Sequence, residues 1–530
     1  MKRNFRPLYL SLAFAFALAS CGTQKMVSTP VENIDNLPLK TTPVAENDLK
    51  RWSHLDLVKD TIPGMSVDKA YKELIKGKKG KKVIVGIVDS GVDINHEDLK
   101  AVIWTNPKEI TGNGIDDDKN GYIDDIHGWN FLGDAVHEQL EMTRIVKKGP
   151  GTPDYDKAKA QLEEELKGIQ PQKQQLDFIL NAEKTVATFL KKSDFTLEEV
   201  KAIQSDETGV KQAKAMFTQI LSKSTKAEFD AQIEEFKDYV YGQINYNLNV
   251  EFDGRKIVGD NPNDLNDTKY GNNNVVGPEP KEAKHGTHVA GIVAQVRGNN
   301  LGGDGVTNNA QILTVRAVPN GDEYDKDIAL GIRYAVDNGA KVINGSFGKY
   351  YSQQKEWVID AIKYAESKDV LVVIAAGNES FDLDVTNKYP NDTYDGSPEF
   401  AKNVLIIGAL SPAYGSKMIA DFSNYGKNNV DIYAPGDEIY ATTPLNTYEY
   451  LQGTSMASPN VAGVATLIRS YYPSLTAVQV KQIIMESGTP LKNTVTIGED
   501  KHKANFADAS KSGRIVNAYN ALVLAAKMAK

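Results

Sequence analysis

One cysteine, Cys21, occurs in the 530 residues of this sequence. A single thiol excludes an internal disulfide and any zinc site assembled from several cysteines. Excess positive charge is missing as well, since 61 lysines and arginines face 70 aspartates and glutamates for a net charge of −9. Nucleic-acid affinity rests on neutralising phosphates with clustered Lys and Arg, so this balance argues against a nucleic acid as the main partner. No apolar run approaches the ~20 residues that span a bilayer. No internal repeat with a period of about 20–50 residues is present either. What remains, 41% hydrophobic and 25% charged residues, is ordinary for a folded chain. At ~100–200 residues per domain the length allows about two to four units.

The N-terminus reads as an export signal. Lys2, Arg3 and Arg6 precede the apolar run Leu8 to Ala19, and the run closes on Leu18-Ala19-Ser20-Cys21. Residues 1–20 therefore fit a removable signal peptide. The ending resembles a bacterial lipobox, which makes Cys21 the expected lipid attachment site. The alternative is an ordinary secretory signal containing a cysteine by chance. The expectation is an exported bacterial lipoprotein at the outer membrane, on its periplasmic side or at the cell surface. Residues 21–51 are polar, contain three prolines and read as a flexible spacer.

From Trp52 onward, nearly continuous β-branched runs alternate with helix-length amphipathic stretches. The runs are Lys82 to Val88, Gln311 to Val315, Val342 to Asn344, Val370 to Ala375, Val404 to Gly408 and Val430 to Tyr433. The stretches include Asp327 to Asn338 and Gln354 to Lys368. This alternation predicts an α/β fold of three layers, a mainly parallel sheet with helices on both faces. Asp154 to Tyr241 breaks the rhythm, being rich in Lys, Glu, Gln, Ala and Leu, with no proline between Pro171 and Pro262. Thr196-Leu197-Glu198-Glu199 and Thr225-Lys226-Ala227-Glu228 fit capping boxes. The reading is a sheet domain in two parts, residues 52–135 and 251–530, with a helical hairpin or bundle inserted at 136–250. The charge of that insertion is the ordinary mark of a solvated helix face.

Three glycine-rich segments carry the chemistry. Asp89-Ser90-Gly91 follows the first buried run, where open α/β sheets place their sites. His285-Gly286-Thr287-His288 opens one small-residue helix, and Gly453-Thr454-Ser455-Met456-Ala457-Ser458 opens another. A serine hydroxyl needs a histidine to take its proton, and the histidine needs a carboxylate on its other nitrogen. Singly, each residue could be a helix cap or a backbone partner. Together they are hard to read as anything but a nucleophile system.

The long motifs DSGVDINHEDL, HGTHVAGIVA and GTSMASPNVAGVATL, in this order, resemble those of the subtilisin-like serine peptidases, the subtilases. The resemblance implies a catalytic triad of Asp89, His285 and Ser455, with Asn378 of Ala375-Ala376-Gly377-Asn378 donating to the oxyanion. It also implies that Ser346, Phe347 and Gly348 pair with an extended substrate and, with Ala376 and Gly377, line the primary specificity pocket. Asn344-Gly345 stands where the family more often has Asn-Met or Asn-Leu. Only 30 residues lie between Cys21 and Trp52, too few for the folded inhibitory propeptide that the family usually carries. The insertion also separates the Asp and His motifs more widely than is common in the family.

The loop from Asp116 has oxygen-bearing side chains at Asp116, Asp118, Asn120 and Asp124, with Gly121 at the sixth position, as in an EF-hand. His127 replaces the terminal glutamate. The spacing makes calcium an expected structural ion, with none needed for the chemistry. A second acidic loop, Asp260 to Asp267, has weaker spacing and is assigned no site. His96-Glu97-Asp98-Leu99-Lys100 lacks the second histidine of a zinc protease. The function implied is an exported serine endopeptidase acting on polypeptides through an acyl-enzyme, as a monomer tethered to a membrane by the lipid on Cys21. The rivals are a non-catalytic polypeptide-binding protein on the same fold and an esterase, whose GxSxG elbow fails at Ala457.

Overall fold

In the computed structural model, which describes residues 44–529, the first β-branched run forms an inner strand of a sheet. The expected signal peptide, Cys21 and the spacer up to residue 43 lie outside the described residues. The strands are β1 (Val83–Asp89), β2 (Gly128–Asn130), β3 (Ala310–Arg316), β4 (Val342–Gly345), β5 (Leu371–Ala375), β6 (Val404–Leu410) and β7 (Ile432–Pro435). Their order is β7-β6-β5-β4-β1-β3-β2, and every neighbouring pair is parallel. Two strands of two residues, Arg514–Ile515 and Thr489–Pro490, extend the sheet beyond β7, and only the outer one runs antiparallel. β5 and β6 are buried at every residue, as a sheet covered on both faces requires.

Helices Lys284–Ala294 and Thr454–Tyr471 pack together against the sheet, as do Asp325–Asp337 and Lys355–Ser367, which completes three layers. A hairpin, β8 (Ile439–Thr443) with β9 (Thr447–Leu451), lies against helix Lys284–Ala294. Its β9 backbone accepts from two buried histidines, His96 through Thr447 at 3.2 Å and His288 through Glu449 at 3.1 Å. His96 therefore braces the fold. Among the described residues no helix is long and apolar enough to cross a membrane.

The stretch after β2 builds a helical body of its own from Glu141–Lys148, Tyr155–Leu190, Leu197–Ala202, Thr208–Leu221 and Lys226–Gly242. Thr196 and Thr225 each close a reciprocal capping box, with Glu199 and Glu228. Residues such as Leu176, Val186, Phe217 and Phe229 form a core separate from that of the sheet. The excursion begins and ends at one place, because Asn130 and Asn272 exchange backbone hydrogen bonds of 2.9 and 3.0 Å.

Buried charges join this body to the sheet domain. Arg144 donates to Glu141 and to the backbone carbonyls of Gln139 and Asp322. Lys349, just past β4, reaches Glu141 at 3.0 Å and Asp325 at 3.1 Å. Burial by itself would raise the Glu141 carboxyl, but the two cations outweigh it and hold it down at about 2. Removing one partner from such a buried pair leaves an uncompensated charge and costs about 3–5 kcal/mol. The acidic loop at 260–267 is consumed the same way, with Asp260 accepting from Lys326 at 2.6 Å and ion-paired to Arg255.

Candidate active site

Three strands deliver side chains to the carboxyl edge of the sheet. Asp89 is the last residue of β1, Ser346 follows β4, and Asn378 lies just past β5. Two helix starts meet them there. His285 lies in the first turn of Lys284–Ala294 and Ser455 in the first turn of Thr454–Tyr471. Gly286 permits the first approach, since a Cβ at that position would stand 2.1 Å from the Gly91 carbonyl oxygen. Gly453, at φ +144°, makes the turn into the second helix.

Asp89 is 1% exposed, and its Oδ1 accepts from His285 Nδ1 at 2.7 Å and from the Ser90 N–H at 2.7 Å. That acceptor fixes the proton on Nδ1 and leaves Nε2 as the basic nitrogen. Burial would lower the imidazole, but the Asp89 charge and hydrogen bond prevail and hold His285 above its ordinary 6.5. Ser455 is half-buried, and its hydroxyl donates to the Ser346 carbonyl at 3.1 Å. Asn344 holds that neighbourhood, donating from Nδ2 to Ser346 Oγ at 2.9 Å while accepting from Ser458 Oγ.

The Asn378 amide is locked by its oxygen. Oδ1 accepts from the Thr454 N–H at 2.8 Å and the Thr454 hydroxyl at 2.9 Å, and that hydroxyl accepts from the Gly377 N–H at 2.9 Å. With the oxygen committed, the Nδ2 donor is left beside Gly453 and the start of the Ser455 helix. The first-turn N–H groups of that helix have no acceptors within it. An imidazole held by a carboxylate, a half-buried serine hydroxyl and N–H donors thus share one edge, the kinds of group that nucleophilic hydrolysis requires.

The subtilase family model matches residues 80–507. The chain belongs to the subtilase family. It is 38% identical over 239 residues to a thermophilic serine proteinase of Bacillus sp. (strain AK1), covering 45% of this chain and 52% of that one. Thermitase of Thermoactinomyces vulgaris is 41% identical over 187 residues, covering 35% and 61%. Subtilisin DY of Bacillus licheniformis is 36% identical over 216 residues, covering 41% and 74%. The chain spans about half the length of the first of these relatives.

In this subtilase a cavity of about 800 Å³ opens beside His285, on the side away from Asn378 and Gly377, which do not line it. His285, Ser346, Phe347 and Gly348 line it, and so do Glu235, Asp238 and Tyr239 of the inserted helix Lys226–Gly242. Lys284, next to His285, ties the inserted helix down through Glu235 at 3.7 Å while also pairing with Glu449 at 2.6 Å. On the far side of Gly348, Tyr351 is buried in the insertion's core and its hydroxyl donates to Gln161 at 2.8 Å. Ala376 and Gly377 are held by Asn424, whose Nδ2 donates to the Ala376 carbonyl at 2.8 Å and whose backbone N–H donates to Gly377 at 3.0 Å.

The acidic loop divides its candidates. Asp116 and Asp118 gather with Glu109, offering three carboxylate oxygens within 4.8 Å of one another. Glu109 Oε2 is buried without a partner, an orphaned acceptor that fits a cation. Asp124 points elsewhere, because its φ of +52° turns both oxygens onto the N–H groups of Gly112, Asn113 and Gly114. The Asn120 amide donates to Asp125 at 3.0 Å. Sequence reasoning passes over Glu109, Thr454 and the bracing role of Asn344. Thr454 was within sight, inside the GTSMAS motif, whereas Glu109 precedes the acidic spacing and carries no motif.

Proposed function

We propose that this chain is a serine endopeptidase that hydrolyses extended polypeptides through an acyl-enzyme on Asp89, His285 and Ser455. The observation that carries the reading is the 2.7 Å bond between His285 Nδ1 and buried Asp89 Oδ1, on a helix that packs against the one Ser455 opens. Substrate N–H groups aligned on 346–348 compete for the Ser346 carbonyl and free the Ser455 hydroxyl for His285 Nε2. Hydrogen bonds of this kind commonly align only with substrate in place. Oγ then bonds to the carbonyl carbon while Nε2 takes its proton, and Asp89 stabilises the imidazolium. The oxyanion receives the Asn378 Nδ2–H and the Ser455 N–H. Its collapse expels the amine, which carries away the proton from Nε2. Water repeats the two steps on the ester and releases the acid.

In this reading the protein is an exported monomer, tethered by a lipid on Cys21. Glu109, Asp116 and Asp118 hold a structural calcium ion that stabilises the loop beside β2 and takes no part in the chemistry. Fluorophosphonate treatment of the purified protein tests the activity. Labelling should fall on Ser455, and Ser455→Ala should lose both the label and hydrolysis of a denatured protein. A variant as active as wild type would overturn the proposal.

A further inference from the structure

A buried lysine stands behind the wall on which the substrate would lie. Residues 388–390 run antiparallel to 347–349, with Tyr389 and Lys349 exchanging backbone hydrogen bonds of 2.8 and 2.9 Å. Lys388 is 3% exposed, and its Nζ donates to the Phe347 carbonyl at 3.1 Å. The ammonium presses on Gly348, where a Cβ would stand 2.2 Å from Nζ and 2.5 Å from Cε. A side chain at 348 would have to displace that ammonium. Among the described residues Lys388 forms no ion pair, and an ammonium has three donors.

The charges around Lys388 locate it further. Burial pushes its ammonium down to about 8, and the fields of Glu323 and Glu379 oppose that fall. Glu323 lines the cleft with Gly348. Glu379 lies on the other wall, accepting from the Asn378 N–H at 2.7 Å and from Tyr350 and Asn424 beside Gly377. Those three donors engage Glu379 locally, so it neutralises Lys388 only from a distance. A buried cation without a contacting anion is costly and invites one.

Resting on the endopeptidase reading above, we propose that Lys388 is the specificity-determining residue of the primary pocket and that the enzyme prefers glutamate or aspartate immediately before the scissile bond. A carboxylate reaching Gly348 from the cleft completes the ion pair that Lys388 lacks. A neutral isostere leaves the ammonium as it was, and a basic side chain meets like charge.

The test is a panel of quenched-fluorescence peptides differing only at that residue, as Glu, Gln, Asp, Leu, Phe or Lys, assayed for kcat/KM. Glu should exceed its isostere Gln by tenfold or more in the wild type. Lys388→Met should bring that ratio close to one, and Lys388→Arg should keep Glu favoured. A wild type that cleaves Leu or Phe peptides but treats Glu and Gln alike overturns the proposal while leaving the peptidase reading intact, and so does a Lys388→Met ratio equal to wild type. Failure to cleave any peptide of the panel would strike the peptidase reading itself. Should Lys388→Met not fold, the wild-type Glu to Gln ratio decides alone.

Discussion

Asp89→Asn separates the orientation of His285 from its basicity. Asp89 Oδ1 serves two donors at 2.7 Å, the Ser90 N–H and His285 Nδ1. An asparagine that holds its oxygen there keeps both bonds and loses only the charge, whereas one that turns its amide nitrogen there presents N–H groups to the imidazole and leaves its oxygen at the unpartnered Oδ2 position. In the second arrangement Nδ1 must become an acceptor, the proton moves to Nε2, and the nitrogen needed as a base is blocked. A wrong tautomer of this kind costs about 10⁴ in turnover, or about 5.4 kcal/mol of barrier at 1.36 kcal/mol per decade. The second effect concerns pH. The neutral imidazole is the active form, so the wild-type rate falls as pH drops through the His285 pKa, which Asp89 holds above 6.5. Removing the carboxylate removes the charge that raises it and leaves burial, which lowers it, so the acid limb must move to lower pH as the rate falls. The assay is kcat/KM for an activated peptide ester between about pH 5 and 9, with the thermal midpoint checking the fold. A loss below tenfold, or an acid limb that stays in place, would refute the reasoning.

Asn378→Ala should reduce kcat by about 10²–10³ with little change in KM, and Thr454→Val should lose part of that factor because valine cannot bridge Gly377 to Asn378; unchanged kcat in both would remove the oxyanion role. Calcium chelation should lower the thermal midpoint, since an ion bound only by the folded state stabilises it by mass action, and the pair Asp116→Ala with Asp118→Ala should abolish the response. A response equal to wild type would reduce the loop to an acidic turn. Replacing residues 153–241 by a Gly/Ser linker should raise the rate on folded proteins relative to a small peptide, because the wall carrying Glu235, Asp238 and Tyr239 is gone; an unaltered ratio would show that the wall does not limit access.

What could be read in the sequence depended on how local the signal was. The strand runs were legible because burial on both faces leaves only β-branched and small residues, and β1 starts and stops within one residue of Lys82 to Val88. The boxes at Thr196 and Thr225 were legible because a cap is decided by four consecutive residues. β2, with three residues, is too short to show a period and exists because Trp129 and Asn130 find β3. Asp124 matched a ligand spacing, yet its positive φ turned it to the amides of residues 112–114, an outcome that spacing cannot register. Lys388 left no signature at all. Its place depends on the pairing of Tyr389 with Lys349, two segments that meet only in the folded chain.

The position of the insertion follows from topology together with one ion pair. Chain leaving the carboxyl end of a parallel strand emerges on the edge where such sheets bind ligands. The excursion departs at Asn130, the end of β2, and returns against the same residue at Asn272, so everything between must rise from that edge. It could still lean away from the cleft. The pair of Lys349 with Glu141 settles the lean, because Lys349 follows directly on Gly348 and Glu141 begins the insertion's first helix. The segment expected to align substrate therefore runs on without a linker into residues buried by the insertion, Lys349 and Tyr351. A shift of the inserted helices would pull on Phe347 and Gly348 through Lys349 and Tyr351, and on Asp322 through Arg144, so the width of the cleft is coupled to the placement of the insertion.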